Sequence, residues 1–207
     1  MLPFTYVALG DSTAVGYGAR DKRGYVHRLY EKISQRKHRV RLENLGENGA
    51  RLRKIADDQV VEAIRLSPDV VTFFAGANDV IAGRRLEDIA SDLDLAALRL
   101  RYLSCPVVVA TLPDLMASPL APYYGSLPGM SLASLGQRFD AVNSCVRSMA
   151  RRFGYVLSEV HEPSRVMLRQ HPDFFCPDGL HPSSAGYQAI ADAMWPAIAR
   201  AIGEAEK

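Results

Sequence analysis

The stretch Phe4-Thr5-Tyr6-Val7-Ala8-Leu9-Gly10-Asp11-Ser12-Thr13 decides the fold of this chain. Phe4 to Leu9 is short and apolar and reads as a buried strand. Gly-Asp-Ser follows, small and polar residues that suit a tight turn.

Working outward from it, the same alternation recurs. Residues 24–36 carry Val26, Leu29, Tyr30 and Ile33 at helical spacing, and Val40 to Leu45 is a second strand. Leu52, Ile55, Ala56, Ala63 and Ile64 mark a helix before a third strand, Asp69 to Phe74, rich in β-branched and aromatic residues. Leu86, Ile89, Leu93, Leu100 and Leu103 mark another helix, and Pro106 to Thr111 is a fourth strand. A long amphipathic helix runs from Leu132 to Phe153, and Tyr155 to Val160 is a fifth strand. Ser183 or Ser184 caps a final helix carrying Tyr187, Ile190, Met194 and Ile198, which Pro196 is expected to kink or interrupt. Five strands separated by helices predict an α/β fold, a parallel sheet with helices on both faces. Residues 113–130 hold Pro113, Pro119, Pro122 and Pro128 and are expected to form an irregular loop over one end of the sheet. The length, 207 residues, suits a single domain over 1–207.

The bulk properties exclude several classes. Hydrophobic residues make up 48% and charged residues 23%, enough apolar matter for a substantial core. A net charge of +2 encodes no global attraction to polyanions. The basic run from Gln35 to Arg41 has no interleaved aromatics and reads as a solvated rim, so no nucleic-acid partner is expected. No apolar stretch approaches membrane-spanning length, so no membrane insertion is expected. The N-terminus lacks the pattern of a signal peptide, and a cytoplasmic location is expected. Cys105, Cys145 and Cys176 do not make a disulfide framework. Cys105 and Cys145 lie in apolar patterns and are expected in the core, whereas Cys176 takes no assigned role. With no cysteine–histidine cluster, neither a metal nor another cofactor is expected.

In a parallel α/β sheet, ligands bind beyond the carboxyl ends of the strands. Gly10-Asp11-Ser12-Thr13 follows the first strand, Gly46-Glu47-Asn48-Gly49 the second, and Gly76-Ala77-Asn78-Asp79 the third. Asp178-Gly179-Leu180-His181-Pro182 lies between the fifth strand and the last helix. These clusters supply a hydroxyl, an imidazole, a carboxylate and donors for an oxyanion, the inventory of acyl transfer through a covalent intermediate. Ser12 is the candidate nucleophile. His181 is the candidate base, because imidazole titrates near neutral pH. Asp178, three residues earlier, can turn back to the other ring nitrogen and fix the tautomer. The Ser12 and Gly49 backbone N–H groups and the Asn78 amide are candidate oxyanion donors. His171-Pro172 is the nearest rival histidine but lacks a carboxylate three residues before it. Tyr123 and Tyr124 are candidate substrate-binding residues, with packing the loop down as the equal alternative; with Leu115, Met116 and Leu120 they suggest an acyl or aryl pocket of modest depth, suited to short acyl groups.

These four blocks resemble those of the SGNH, or GDSL-type, hydrolases, from residue 4 to about residue 200. The residue after Ser12 is Thr13, where the name of that family has leucine. The resemblance implies a flavodoxin-like three-layer α/β/α sandwich with a central five-stranded parallel sheet. It also implies hydrolysis of a small-molecule ester or thioester by Ser12, His181 and Asp178, with Ser12, Gly49 and Asn78 forming the oxyanion hole. An α/β-hydrolase would need Gly-x-Ser-x-Gly well inside the chain, and Gly10-Asp11-Ser12-Thr13-Ala14 is not that. A catalytically inactive or non-enzymatic flavodoxin-like binding module is the other alternative. Nucleotide binding by such a module finds no Gly-x-Gly-x-x-Gly or Gly-Lys-Ser/Thr, and no member of the triad is missing.

Overall fold

The computed structural model describes residues 2–21 and 23–203. Its strands are β1 (Phe4–Gly10), β2 (Val40–Asn44), β3 (Val70–Phe74), β4 (Val107–Ala110) and β5 (Val156–Ser158). All pair in parallel, in the order β2-β1-β3-β4-β5. β3 is buried throughout and β1 nearly so, in keeping with sequences that are apolar apart from Thr5 and Thr72. The edge strand β2 is only half-buried.

The helices are α1 (Ser12–Val15), α2 (Tyr25–Ser34), α3 (Leu52–Lys54), α4 (Val60–Leu66), α5 (Ala77–Ile81), α6 (Leu86–Leu100), α7 (Ala121–Gly125), α8 (Leu132–Phe153), α9 (His161–Gln170) and α10 (Ser184–Ala201). On one side α10 packs against α2 and onto β4 and β5; elsewhere α6 packs against α8 and the α3–α4 segment. One connected cluster of buried side chains fills the space between the layers, with Tyr6, Leu9, Leu29, Phe73 and Tyr187 fully enclosed. The chain runs β1 to β2 on one side, then crosses back to β3 on the other. The gap between β1 and β3 is therefore the topological switch point, where a crevice forms at the carboxyl ends.

Several elements differ from the sequence expectations. The helix read from Leu52 to Ile64 contains a π-helical turn, Ile55–Gln59, between α3 and α4. Residues 113–130 are more ordered than a loop, with a 3-10 turn at Leu115–Ala117 and α7 after it. α10 continues through Pro196 without interruption. Proline removes the donor for the carbonyl four residues back; here that is Asp192, and both residues lie on the exposed face where water can substitute. Cys105 and Cys145 pack against the core but are only partly buried. α9 has no counterpart among the expected helices.

Candidate active site

Ser12 opens α1 directly after β1. Gly10 is required there, because a Cβ at that position would sit 2.6 Å from the Phe74 carbonyl oxygen of the neighbouring strand. Asp11 caps the short helix, its Oδ1 accepting the Thr13 N–H at 2.9 Å. Burial raises the Asp11 carboxyl pKa, and hydrogen bonds from Thr13 and the nearby His181 oppose that rise. Gly16 ends the turn in the left-handed region at φ 84°.

The last helix begins just after the other half of the site. Asp178 and His181 lie on the turn between the 3-10 segment Pro172–Phe174 and α10. Ser12 Oγ lies 2.9 Å from His181 Nε2, and His181 Nδ1 lies 2.6 Å from Asp178 Oδ2. A carboxylate only accepts, so Nδ1 carries the proton and Nε2 accepts from the serine hydroxyl. The other carboxylate oxygen, Oδ1, accepts the N–H groups of Leu180 (2.9 Å) and His181 (3.0 Å) and the Cys176 thiol (3.0 Å). Burial alone would raise the Asp178 pKa, but these donors and the imidazole outweigh it and hold the carboxyl well below the ordinary range. Burial and the Asp178 charge push the Cys176 thiol up, keeping it a donor rather than a thiolate.

The oxyanion candidates are placed unevenly. Ser12 and Asn78 line the same cavity, Ser12 with the first N–H of α1, which has no partner within its helix. One Asn78 amide hydrogen is held by the Ala50 carbonyl at 3.0 Å, leaving the second for a ligand. Gly49 sits in the adjoining turn at φ 74° and does not form part of the cavity wall. Asp79, wholly buried, ties this turn to α5: it accepts the Leu52 N–H at 3.0 Å and pairs with Arg84 at 2.6 Å. Asp79 therefore braces the Asn78 segment.

The cavity is an open groove at the carboxyl ends of the strands. Its wall corrects the assignment of Tyr123 and Tyr124, neither of which reaches it. Those tyrosines meet edge to face at a centroid distance of 5.4 Å, and Tyr123 is largely exposed. The Ser118 hydroxyl and the Leu120 N–H both donate to the Gly179 carbonyl, so the segment buttresses the Asp178 turn, and Tyr124 is partly buried against the core rather than in the groove. Of residues 113–130, only Pro113 and Leu115 line the groove; α9 and Phe174-Phe175 take the place that Met116, Leu120 and the tyrosines were expected to fill.

Two contributors were not anticipated. The half-exposed Tyr17 ring lies 4.6 Å from the His181 ring, tilted by 54°. The buried Gln59 amide pairs with both the N–H and the C=O of Gly10, each at 2.9 Å, clamping the backbone one residue before the Asp11-Ser12 turn. Among the described residues, no group of three or more His, Cys, Asp or Glu side chains is placed to hold a metal ion. No helix among them is long and apolar enough to cross a membrane.

Fold and site together define a three-layer α/β protein with a serine, a histidine and an aspartate joined in series at the sheet's switch point. The chain belongs to the GDSL-like Lipase/Acylhydrolase family, whose sequence profile matches residues 8–189. No curated protein matches it by sequence. Among solved structures it is similar to LAE5, an alpha/beta hydrolase from the metagenome of Lake Arreo, at 24% identity and TM-score 0.73, covering 97% of this chain and 96% of that one. It is also similar to the lipase/acylhydrolase from Enterococcus faecalis (18%, TM-score 0.74, covering 98% and 99%). A third is the psychrotrophic esterase EstA from Pseudoalteromonas sp. (19%, TM-score 0.72, covering 95% and 97%). At these identities the likeness establishes the fold.

Proposed function

We propose that this protein is a carboxylic ester hydrolase that works through an acyl-enzyme on Ser12. The observation that carries the proposal is the unbroken series Ser12 Oγ–His181–Asp178, at 2.9 and 2.6 Å. In the proposed mechanism His181 takes the serine proton as Ser12 attacks the ester carbonyl, and Asp178 stabilises the imidazolium that forms. His181 then returns the proton to the departing alcohol or thiol. Water repeats the attack on the acyl-enzyme with His181 as base. The Ser12 N–H and the free Asn78 amide hydrogen are the oxyanion donors supported best, with Gly49 N–H as a third that the turn can offer. Esters and thioesters both fit this chemistry.

A cytoplasmic setting is part of the proposal, and three free cysteines suit a reducing compartment. The test is a panel of ester and thioester substrates, assayed with wild type beside Ser12→Ala. Turnover should fall by on the order of 10⁴-fold in a variant that stays folded by circular dichroism. Wild-type turnover in that folded variant would refute the assignment.

A further inference from the structure

Within the triad, the Asp178 carboxylate is less sheltered than the imidazole it orients. The Asp178 side chain is 38% exposed, against 20% for His181. Water therefore competes for the carboxylate, and a change of rotamer would carry Oδ2 away from His181 Nδ1. Oδ2 is committed to the imidazole. The orientation of the group is then decided by what holds Oδ1. Two of its donors are the Leu180 and His181 N–H groups, which belong to the same turn as Asp178. The third is the Cys176 thiol, a side-chain donor that reaches in from the base of the turn.

That thiol is fixed from several directions. The Cys176 N–H donates to the His181 carbonyl at 2.8 Å, and the Cys176 carbonyl accepts the Gly179 N–H at 2.9 Å. An antiparallel bridge between Phe175 and Pro182 closes the turn one residue further out. On its other side Sγ abuts Gly18, in the loop after α1. A Cβ on Gly18 would lie 2.8 Å from Sγ and 3.5 Å from the His181 Cβ, so the absence of a side chain there makes the space the thiol fills. This loop is in turn tied to α10, because the Tyr187 hydroxyl donates to the Tyr17 carbonyl and the Ser184 hydroxyl to Asp21, each at 2.8 Å. Held between the loop and the turn, and kept protonated by burial and the adjacent carboxylate, the thiol is suited to donate a hydrogen bond. Nucleophilic work would require the thiolate.

We propose that Cys176 is a positioning residue for the triad, its S–H group holding Asp178 Oδ1 so that Oδ2 stays aimed at His181 Nδ1. The proposal rests on the ester-hydrolase reading above and adds to it a residue whose sequence context suggested no role. Cys176 forms no part of the groove wall. Its effect therefore falls on the rate of proton transfer through His181 and leaves substrate binding alone.

The test is steady-state hydrolysis of p-nitrophenyl acetate by wild type, Cys176→Ala, Cys176→Ser and Ser12→Ala, each checked for folding by circular dichroism. Cys176→Ala should lower kcat about tenfold with KM within about twofold of wild type, the loss of one weak hydrogen bond to a charged acceptor. Cys176→Ser restores a donor and should keep kcat within about threefold of wild type. The rate at which a fluorophosphonate labels Ser12 should follow kcat across wild type and both Cys176 variants. A kcat in Cys176→Ala within about twofold of wild type, a change carried by KM, or a serine variant as slow as the alanine variant would overturn the proposal. Ser12-dependent hydrolysis would then leave the hydrolase reading intact. Hydrolysis that persists in Ser12→Ala would instead remove that reading and this proposal together.

Discussion

Asp178 illustrates how much a single side chain carries. Its carboxylate accepts from the Leu180 and His181 N–H groups, the Cys176 thiol and the imidazole, and its pKa is lowered in the folded protein. A lowered folded pKa contributes stability that is complete above the unfolded value, about 3.9, and is lost as pH falls through the folded value. The stability gap between wild type and Asp178→Asn, read from urea midpoints, should therefore be larger at pH 7 than at pH 3. A gap that is unchanged or wider in acid would contradict this origin of the shift. Ser12, Asp178 and His181 were legible in the sequence because each sits in a short, local pattern. Tyr17 was not, since its contact with His181 depends on folding segments 164 residues apart onto each other, and no local spacing encodes it.

At the scale of elements, the π-turn Ile55–Gln59 is the feature that sequence periodicity hid. Apolar spacing marks a helix but does not report one extra residue in a turn, and such bulges often occur beside functional sites. Gln59 ends this turn with its amide on the Gly10 backbone. Replacing it by leucine keeps the volume but takes the partner from the buried Gly10 N–H, at about 1–3 kcal/mol, while the Gly10 carbonyl keeps the Glu47 N–H at 3.3 Å. For a chain of this size, Gln59→Leu should lower Tm by roughly 2–8 °C. A Tm within 1 °C of wild type would show that the pairing with Gly10 does not matter. α9 was missed for a different reason. Only His161 and Ser164 on it are buried, so it lacks the broad apolar stripe by which a helix is recognised. The pocket wall was misassigned with it, because α9 supplies Met167 and Leu168 where Tyr123 and Tyr124 were expected.

For the whole molecule, the five-stranded parallel sheet was legible because its central strands β1, β3 and β4 are largely apolar and the helices α2, α6, α8 and α10 are long and periodic. The strand order follows from those same pieces only once β3 is seen to pair with β1 on the side away from β2. That reversal brings Ser12, near the start of the chain, to within 2.9 Å of His181, near its end. The central claim is that this convergence makes Ser12 a nucleophile that His181 activates. Mass mapping of a fluorophosphonate adduct tests it most directly, comparing wild type with His181→Ala. One adduct is expected, located on Ser12, forming on the order of 10³-fold more slowly in His181→Ala, in keeping with the loss of a triad base. An adduct on another residue, or equal labelling rates in the two proteins, would contradict it.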